Sequence, residues 1–346
     1  MKLTIAVSGL NATDNPGPGI PVARALRADK ELKPRIIGLS YESMEPGIYL
    51  KDIIDKVYQV PLPSAGKDAV MERIRYIHSI EKIDVLIPNF DSELFSFIKM
   101  EDDLRKLGIK TFLPTIQQLE ERHKRNLFEY GQKYKLRVPK SKPIFSVDEI
   151  TTLRSEFEFP MVVKGKFYEA YIAYTYEQVH SYFHKINGKW GTPIIIQQFV
   201  NGTEYDVAAL GDGKGNLVGA VAMKKLVLTD KGKAWAGVTI EDENMIDMAR
   251  KVMKSTKWKG GIELEIMRDS RKGDIYIIEI NPRFPAWIYL TAGAGQNLPA
   301  ALVKMAMGKK VTPFKKYAVG KMFIRYSMDN ICDIKDFEKI STLAEF

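Results

Sequence analysis

The chain has 346 residues, 45% hydrophobic and 27% charged, with a net charge of +9. That length exceeds one ordinary core and calls for two or three domains of globular composition. No run of about 18 uncharged apolar residues occurs, which argues against a membrane-spanning helix. The single cysteine, Cys332, excludes an internal disulfide framework and a cysteine-rich metal site. Residues 1–7 have neither a long apolar stretch nor a small-residue cleavage site. They read as a strand and not a signal peptide, and a reducing cytoplasm is the expected location. Lysines and arginines are interspersed with acids, without a basic tail or an aromatic–basic RNA motif. Nucleic acid is therefore not an expected partner, and the positive balance reads as a lysine-rich solvated surface.

In chain order, strands are expected over residues 3–8, 35–39, 56–60 and 85–88, and helices over 20–29, 67–80 and 93–107. Short β-rich runs separated by helices predict an α/β domain with a parallel sheet. Ligands on such sheets lie at the carboxyl ends of strands, which here carry Ser8-Gly9-Leu10-Asn11 and Pro88-Asn89-Phe90-Asp91. The segment Asn15-Pro16-Gly17-Pro18-Gly19 reads either as a plain βα turn or as an anion contact, and it lacks the glycine spacing of a dinucleotide fingerprint. A charged amphipathic helix is expected over 115–134. From residue 160 the chain turns β-rich, with strands expected over 161–164, 194–200, 203–210, 218–223, 262–267 and 275–280. Gly211-Asp212-Gly213-Lys214-Gly215-Asn216 supplies a hairpin turn. A helix over 298–307 and a strand near 321–326 follow, so an α+β body succeeds the α/β domain.

The chemistry concentrates in residues 261–283. If the turn at Arg271-Lys272-Gly273 sets Ser270 opposite Asp274, then Glu265 faces Glu279 and Glu263 faces Asn281. Alternation then puts Glu263, Glu265, Glu279 and Asn281 on one face and Leu264, Ile266, Ile278 and Ile280 on the other. Like charges directly opposite each other destabilise a sheet, and a hard divalent cation relieves that. Magnesium takes one or two carboxylates and completes its shell with phosphate and water. Glu265, Glu279 and Asn281 are the expected ligands. Arg283 continues the alternation and is suited to a bidentate contact with a phosphate or acyl phosphate.

The run Ile277-Ile278-Glu279-Ile280-Asn281-Pro282-Arg283 resembles the magnesium-binding signature of the ATP-grasp superfamily. The likeness extends over nearly the whole chain and is nearest in type to the halves of the carbamoyl-phosphate synthetase large subunit and to carboxylate–amine ligases. It implies a pre-ATP-grasp α/β domain at 1–114 with a parallel sheet, followed at 115–346 by an α+β ATP-grasp fold of two subdomains: a lid at about 137–197, a hinge at 197–201 and a C-terminal subdomain at 202–346. It implies ATP and magnesium (or manganese) as cofactors. Lys124 matches the first phosphate-binding position, with Arg125 as the neighbouring alternative, and Lys164 after Phe159-Pro160-Met161-Val162-Val163 matches the second. In the hinge, the backbone from Gln198 through Phe199 and Val200 would meet the adenine edge, and Glu204 would hold the ribose. This chain departs from the family at 165–173, where a glycine-rich loop is usual and aromatics stand instead. Backbone cradles favour glycine, so no phosphate contact is assigned there.

The implied activity is phosphorylation of a substrate carboxylate, with charge neutralised by the metal and Lys164, followed by attack of an amine and release of ADP and phosphate. Arg283 would stabilise the acyl phosphate. Small carboxylates and amines are the expected partners, and a homodimer is compatible with the chain. Lys224 and Lys225 end a strand and are candidates for contact with phosphate or a substrate carboxylate. Trp235 is a candidate lining of the acceptor pocket, and Asp91 and Glu93 are candidates for a substrate amine. His180 and His184 lie four residues apart without a third ligand and read as a solvent-facing pair. Two other readings stand beside the ligase: a carboxy-phosphate former using bicarbonate, and a nucleotide sensor without catalysis.

Overall fold

The computed structural model describes residues 2–12, 16–166, 169–229 and 232–346. Asn15, and Phe167 and Tyr168 of the aromatic loop, lie outside the described residues. The chain opens with β1 (Lys2–Ser8), α1 (Gly19–Ala28), β2 (Lys33–Ser40), β3 (Lys56–Gln59), α2 (Lys67–Glu81) and β4 (Val85–Ile87). The four strands form a parallel sheet of order β3-β2-β1-β4. Ile5, Ala6 and Val7 of β1 are wholly buried, as expected where both faces of a parallel sheet are covered. The outer edge of β3 is closed by the chain's own end, where Val57 and Phe346 exchange backbone bonds of 2.7 and 2.8 Å.

The helix expected over 93–107 is two, α3 (Asp91–Lys99) and α4 (Glu101–Lys106). Glu101, Asp102 and Asp103 give the second a fresh acidic first turn, which suits a helix N-terminus. The helix expected over 115–134 is also two, α5 (Ile116–Glu121) and α6 (Leu127–Tyr134), parted by a single 3-10 turn at Lys124–Asn126. The break lets Arg122 turn inward and donate to the Ile280 carbonyl at 3.2 Å.

Next come β5 (Ser141–Ile144), β6 (Met161–Lys164), β7 (Ala170–Ala173), α7 (Tyr176–Trp190) and β8 (Ile194–Gln198), with antiparallel pairing in the order β5-β8-β6-β7. The remaining elements are β9 (Gly202–Asp212), β10 (Leu217–Leu228), β11 (Ala234–Thr239), α8 (Glu243–Thr256), β12 (Lys259–Asp269), β13 (Ile275–Asn281), α9 (Tyr289–Gly293), α10 (Leu298–Ala306), β14 (Met322–Ile324) and α11 (Ile334–Leu343). Their six strands run in the order β13-β12-β9-β10-β11-β14.

Two compact units result. One comprises Met1–Ile116, Val207–Glu263 and Asn281–Phe346, and the other Gln117–Asp206 and Leu264–Ile280. Strands β9, β12 and β13 each pass from one unit to the other. The larger core gathers Ile5, Leu26 and Ile36 with Leu210, Phe284, Trp287 and Leu298. The smaller packs Met161, Val163, Ile194 and Ile196 against Val179, Phe183 and Ile186 of α7. Each such side chain contributes about 1.5–3 kcal/mol of burial.

The β12–β13 hairpin closes one residue away from the expected pairing. Asp269 donates its N–H to the Asp274 carbonyl at 2.8 Å and accepts from Gly273 N–H at 3.0 Å. Its carboxylate takes the N–H groups of Arg271 and Lys272 at 2.9 and 2.7 Å, which draws both into the loop. Gly273 completes the turn at φ +72°, a conformation glycine adopts without strain. No helix among the described residues is long and apolar enough to cross a membrane.

Candidate functional site

In the smaller unit, Lys164 is the last residue of β6, paired with Ala170 on one side and Ile195 on the other. This central position half-buries its side chain. Burial pushes the ammonium below the ordinary lysine range. The negative charges of Glu279, Glu265 and Glu204 oppose that fall, and Lys124 adds to it. Four charged residues expected from the sequence, Lys124, Glu204, Glu265 and Glu279, thus act on Lys164. Lys124 stands 3.0 Å from Glu279 Oε1, both side chains about one-fifth exposed, whereas its neighbour Arg125 is exposed. The break between α5 and α6 is what turns Lys124 toward Glu279.

The connection from β8 to β9 is pinned at both ends. Gln198 N–H donates to the Lys140 carbonyl at 2.8 Å, and Asn201 accepts from Ser270 N–H at 2.9 Å. A side chain at Gly202 would stand 1.9 Å from the Arg268 carbonyl oxygen, so only glycine passes there. Between these anchors Gln198 is exposed, Phe199 half-buried and Val200 buried, and Glu204 follows half-buried on β9.

In the larger unit a second charged group centres on Glu263, which is 6% exposed. Its Oε2 accepts from Asn281 Nδ2 at 2.9 Å and from Arg283 Nη1 at 3.3 Å, and its Oε1 accepts from Trp287 Nε1 at 2.8 Å. Arg283 also meets Asp91 Oδ1 through Nε at 3.0 Å. Asp91 is therefore a partner of Arg283 here. Glu93 serves the fold: fully buried, it accepts the N–H groups of Asn89 and Phe90 at 2.6 and 2.9 Å and the hydroxyls of Ser8 and Tyr41. Those bonds hold its pKa down, yet burial outweighs them and leaves it raised.

Lys224 is half-buried on β10 opposite Val238, while Lys225 lies opposite Gly237 on the face that carries Trp235. His180 and His184 are exposed on α7. Among the described residues no three His, Cys, Asp or Glu side chains group as metal ligands. Alternation sets Glu263 on the acidic face opposite Asn281 without giving it a role, and Arg325 stands outside every motif. The only signal for Arg325 is an arginine directly after the apolar run Met322-Phe323-Ile324.

Residues 191–325 match a family model described as an ATP-grasp in the biosynthetic pathway with Ter operon. The carbamoyl phosphate synthase large chain of Agathobacter rectalis is 23% identical over 275 residues, 75% of this chain and 25% of that protein. The chain thus spans about a quarter of that relative's length. Among solved structures, the biotin carboxylase domain of Hydrogenobacter thermophilus 2-oxoglutarate carboxylase, described with MgADP and bicarbonate, superposes with a TM-score of 0.70 at 16% identity, covering 89% of this chain and 70% of that one. An L-amino acid ligase from Bacillus licheniformis gives 0.63 at 14% identity, covering 88% and 74%.

Proposed function

We propose that the chain is a member of the ATP-grasp superfamily, one of whose models matches residues 191–325, and that it is an ATP- and magnesium-dependent ligase joining a carboxylate to an amine through an acyl phosphate. The observation that carries this reading is the action of Lys124, Glu204, Glu265 and Glu279 on Lys164 in one unit. Three carboxylates gathered on a half-buried face repel one another, and Lys124 occupies the cationic place beside Glu279. That is the charge pattern a divalent cation and a polyphosphate would complete.

Glu265 and Glu279 would hold magnesium, or manganese in its place, with Asn281, two residues beyond Glu279, as the neutral ligand. The bond from its Nδ2 to Glu263 orients that amide. The metal supplies charge neutralisation at the phosphates. Lys164 and Lys124 bind phosphate oxygens, and Lys164 gains there the counter-charge that its burial lacks. Glu204 takes the ribose hydroxyls, and the backbone from Gln198 to Val200 takes the adenine edge. Lys224 is assigned to the nucleotide or to the substrate carboxylate. Arg283 holds the carboxylate as it becomes acyl phosphate; the amine then attacks and phosphate leaves. The pre-ATP-grasp domain at 1–114 and the lid, hinge and C-terminal subdomains within 115–346 are the layout this reading takes, in a cytoplasmic enzyme.

A second reading is favoured by the likeness to a biotin carboxylase described with bicarbonate. There bicarbonate replaces the organic acid and carboxy phosphate is formed. The deciding experiment is an ADP-release screen over carboxylate and amine pairs, with Glu279→Ala as the blank. ADP release that needs both an acid and an amine supports the ligase. Release with bicarbonate alone supports the second reading, and nucleotide binding without any release rejects both in favour of a sensor.

A further inference from the structure

Arg325 follows β14, the outer strand of the six-stranded sheet, and donates its backbone N–H to the Trp235 carbonyl at 2.9 Å. The pairing of Ala236 with Ile324 sets it beside Trp235, on the face shared with Lys225. Three strands separate it from β12 in the sheet, yet the one charge that raises its pKa is that of Glu263 on β12. Both residues belong to the larger unit. The Arg325 Nη1 is buried and has no hydrogen-bond acceptor. Glu263 has little left to give it, since Asn281, Arg283 and Trp287 already take three of its roughly four lone-pair positions.

A buried guanidinium donor without an acceptor is costly. Burial holds Arg325 down to about 10, so the desolvation is only partly repaid by Glu263. Arg283, by contrast, has both Asp91 and Glu263. The two arginines and two carboxylates balance in charge, but Arg283 takes both carboxylates by direct contact, and the acceptor that is missing is the one at Arg325 Nη1.

We infer that Arg325 is the receptor for a second carboxylate of the acid substrate, one that is not phosphorylated, so that the acid is a dicarboxylate or an acidic amino acid. This rests on the ligase reading for the reacting carboxylate at Arg283 and deepens it at the other end of the molecule. The planar guanidinium suits bidentate capture of a carboxylate. Trp235, alongside, offers an apolar wall for the carbon chain between the two acid groups.

The test is calorimetric titration of succinate, glutarate, L-glutamate and butyrate into the full chain, the Arg325→Met variant and the Arg325→Lys variant, beside the ADP-release assay. At least one of the three diacids should bind ten-fold or more tightly than butyrate. It should lose about 100-fold in Arg325→Met and less in Arg325→Lys, which keeps charge but not the fork, with nucleotide affinity unchanged in both. Butyrate binding as tightly as every diacid, or undiminished diacid affinity in Arg325→Met, overturns the inference. If Arg325→Met does not fold, Arg325→Lys alone decides, and an unchanged diacid affinity there overturns it equally. Arg325-dependent diacid binding without ADP release by any acid and amine pair rejects the ligase reading and leaves the carboxylate receptor. ADP release from monocarboxylates at undiminished kcat/KM in Arg325→Met does the reverse.

Discussion

The Lys124 ammonium lies 3.0 Å from Glu279 Oε1, and this pair joins a proposed phosphate ligand to a proposed metal ligand. Each partner must change its company when nucleotide and metal arrive. Lys124 gains phosphate oxygens, and Glu279 exchanges one positive charge for another. A partly exposed pair of this kind contributes about 0–1 kcal/mol to stability. Glu279→Gln should therefore leave the Tm within a few degrees of the parent. ADP formation should fall by about 100-fold or more, with the magnesium dependence weakened. A variant that keeps parental turnover and magnesium response sinks the metal assignment.

Lys164 lends itself to a test of opposite signs. Its pKa is depressed in the folded state, burial being the largest cause. A lysine so placed destabilises the fold while charged. Stability lost below its folded pKa is recovered as pH rises toward the unfolded value. Lys164→Met should raise the Tm without nucleotide at pH 7 and weaken nucleotide binding by about 10- to 100-fold, the range expected for losing a charged hydrogen bond. Equal nucleotide affinity in variant and parent rejects its phosphate role.

Much of this was legible in the sequence because it is local. Period-two alternation and glycine-rich turns place β1, β6, β9, β12 and β13 within a few residues of their observed ends. The run from Glu279 to Arg283 is legible through its resemblance to a known magnesium-binding signature. What was not legible depends on distant partners. Ala234-Trp235-Ala236-Gly237 has weak strand character, and it forms β11 because β10 and β14 pair with it on either side. The helix over 115–134 breaks at Lys124–Asn126, and Arg122 beside the break meets a carbonyl 158 residues away. The hairpin's closing pair moves to Asp269 and Asp274, where the Asp269 carboxylate caps its own turn. Alternation sets Glu263 opposite Asn281, but its bonds from Arg283 and Trp287 depend on how the chain turns after the strand.

Glu45 gives the larger unit a pH dependence. It is 5% exposed, and burial first, then Glu42 and Glu93, push its pKa up to about 7, although bonds from Tyr41 and Leu10 oppose this. For an acid raised in the folded state, stability is full below the unfolded pKa and declines as pH rises through the folded one. The decline spans about pH 4.5 to 7 and amounts to roughly 3 kcal/mol. Glu45→Gln should raise the Tm relative to the parent at pH 8 and leave it unchanged at pH 4. Parallel Tm curves across that window would show that Glu45 titrates normally.

Glu263 should separate a scaffold role from a chemical one. Its carboxylate is buried and satisfies Asn281, Arg283 and Trp287 together. Removing one member of a buried charged group costs about 3–5 kcal/mol, because the partners left behind are desolvated and unpaired. Glu263→Ala should therefore lower the Tm by about 10 °C or more, for a domain of ordinary unfolding entropy. Glu263→Gln keeps one acceptor oxygen for Asn281 or Trp287 but brings an amide N–H₂ against the donors of the others, so its loss should be smaller. The two variants should also part in turnover. With the Glu263 charge gone, Arg283 is freer to swing toward the Asp91 carboxylate, away from the substrate. In Glu263→Gln the KM for the acid should rise by about ten-fold while nucleotide affinity stays parental. If both KM and nucleotide affinity stay parental, Arg283 does not depend on Glu263 for its position, and the carboxylate serves the fold alone.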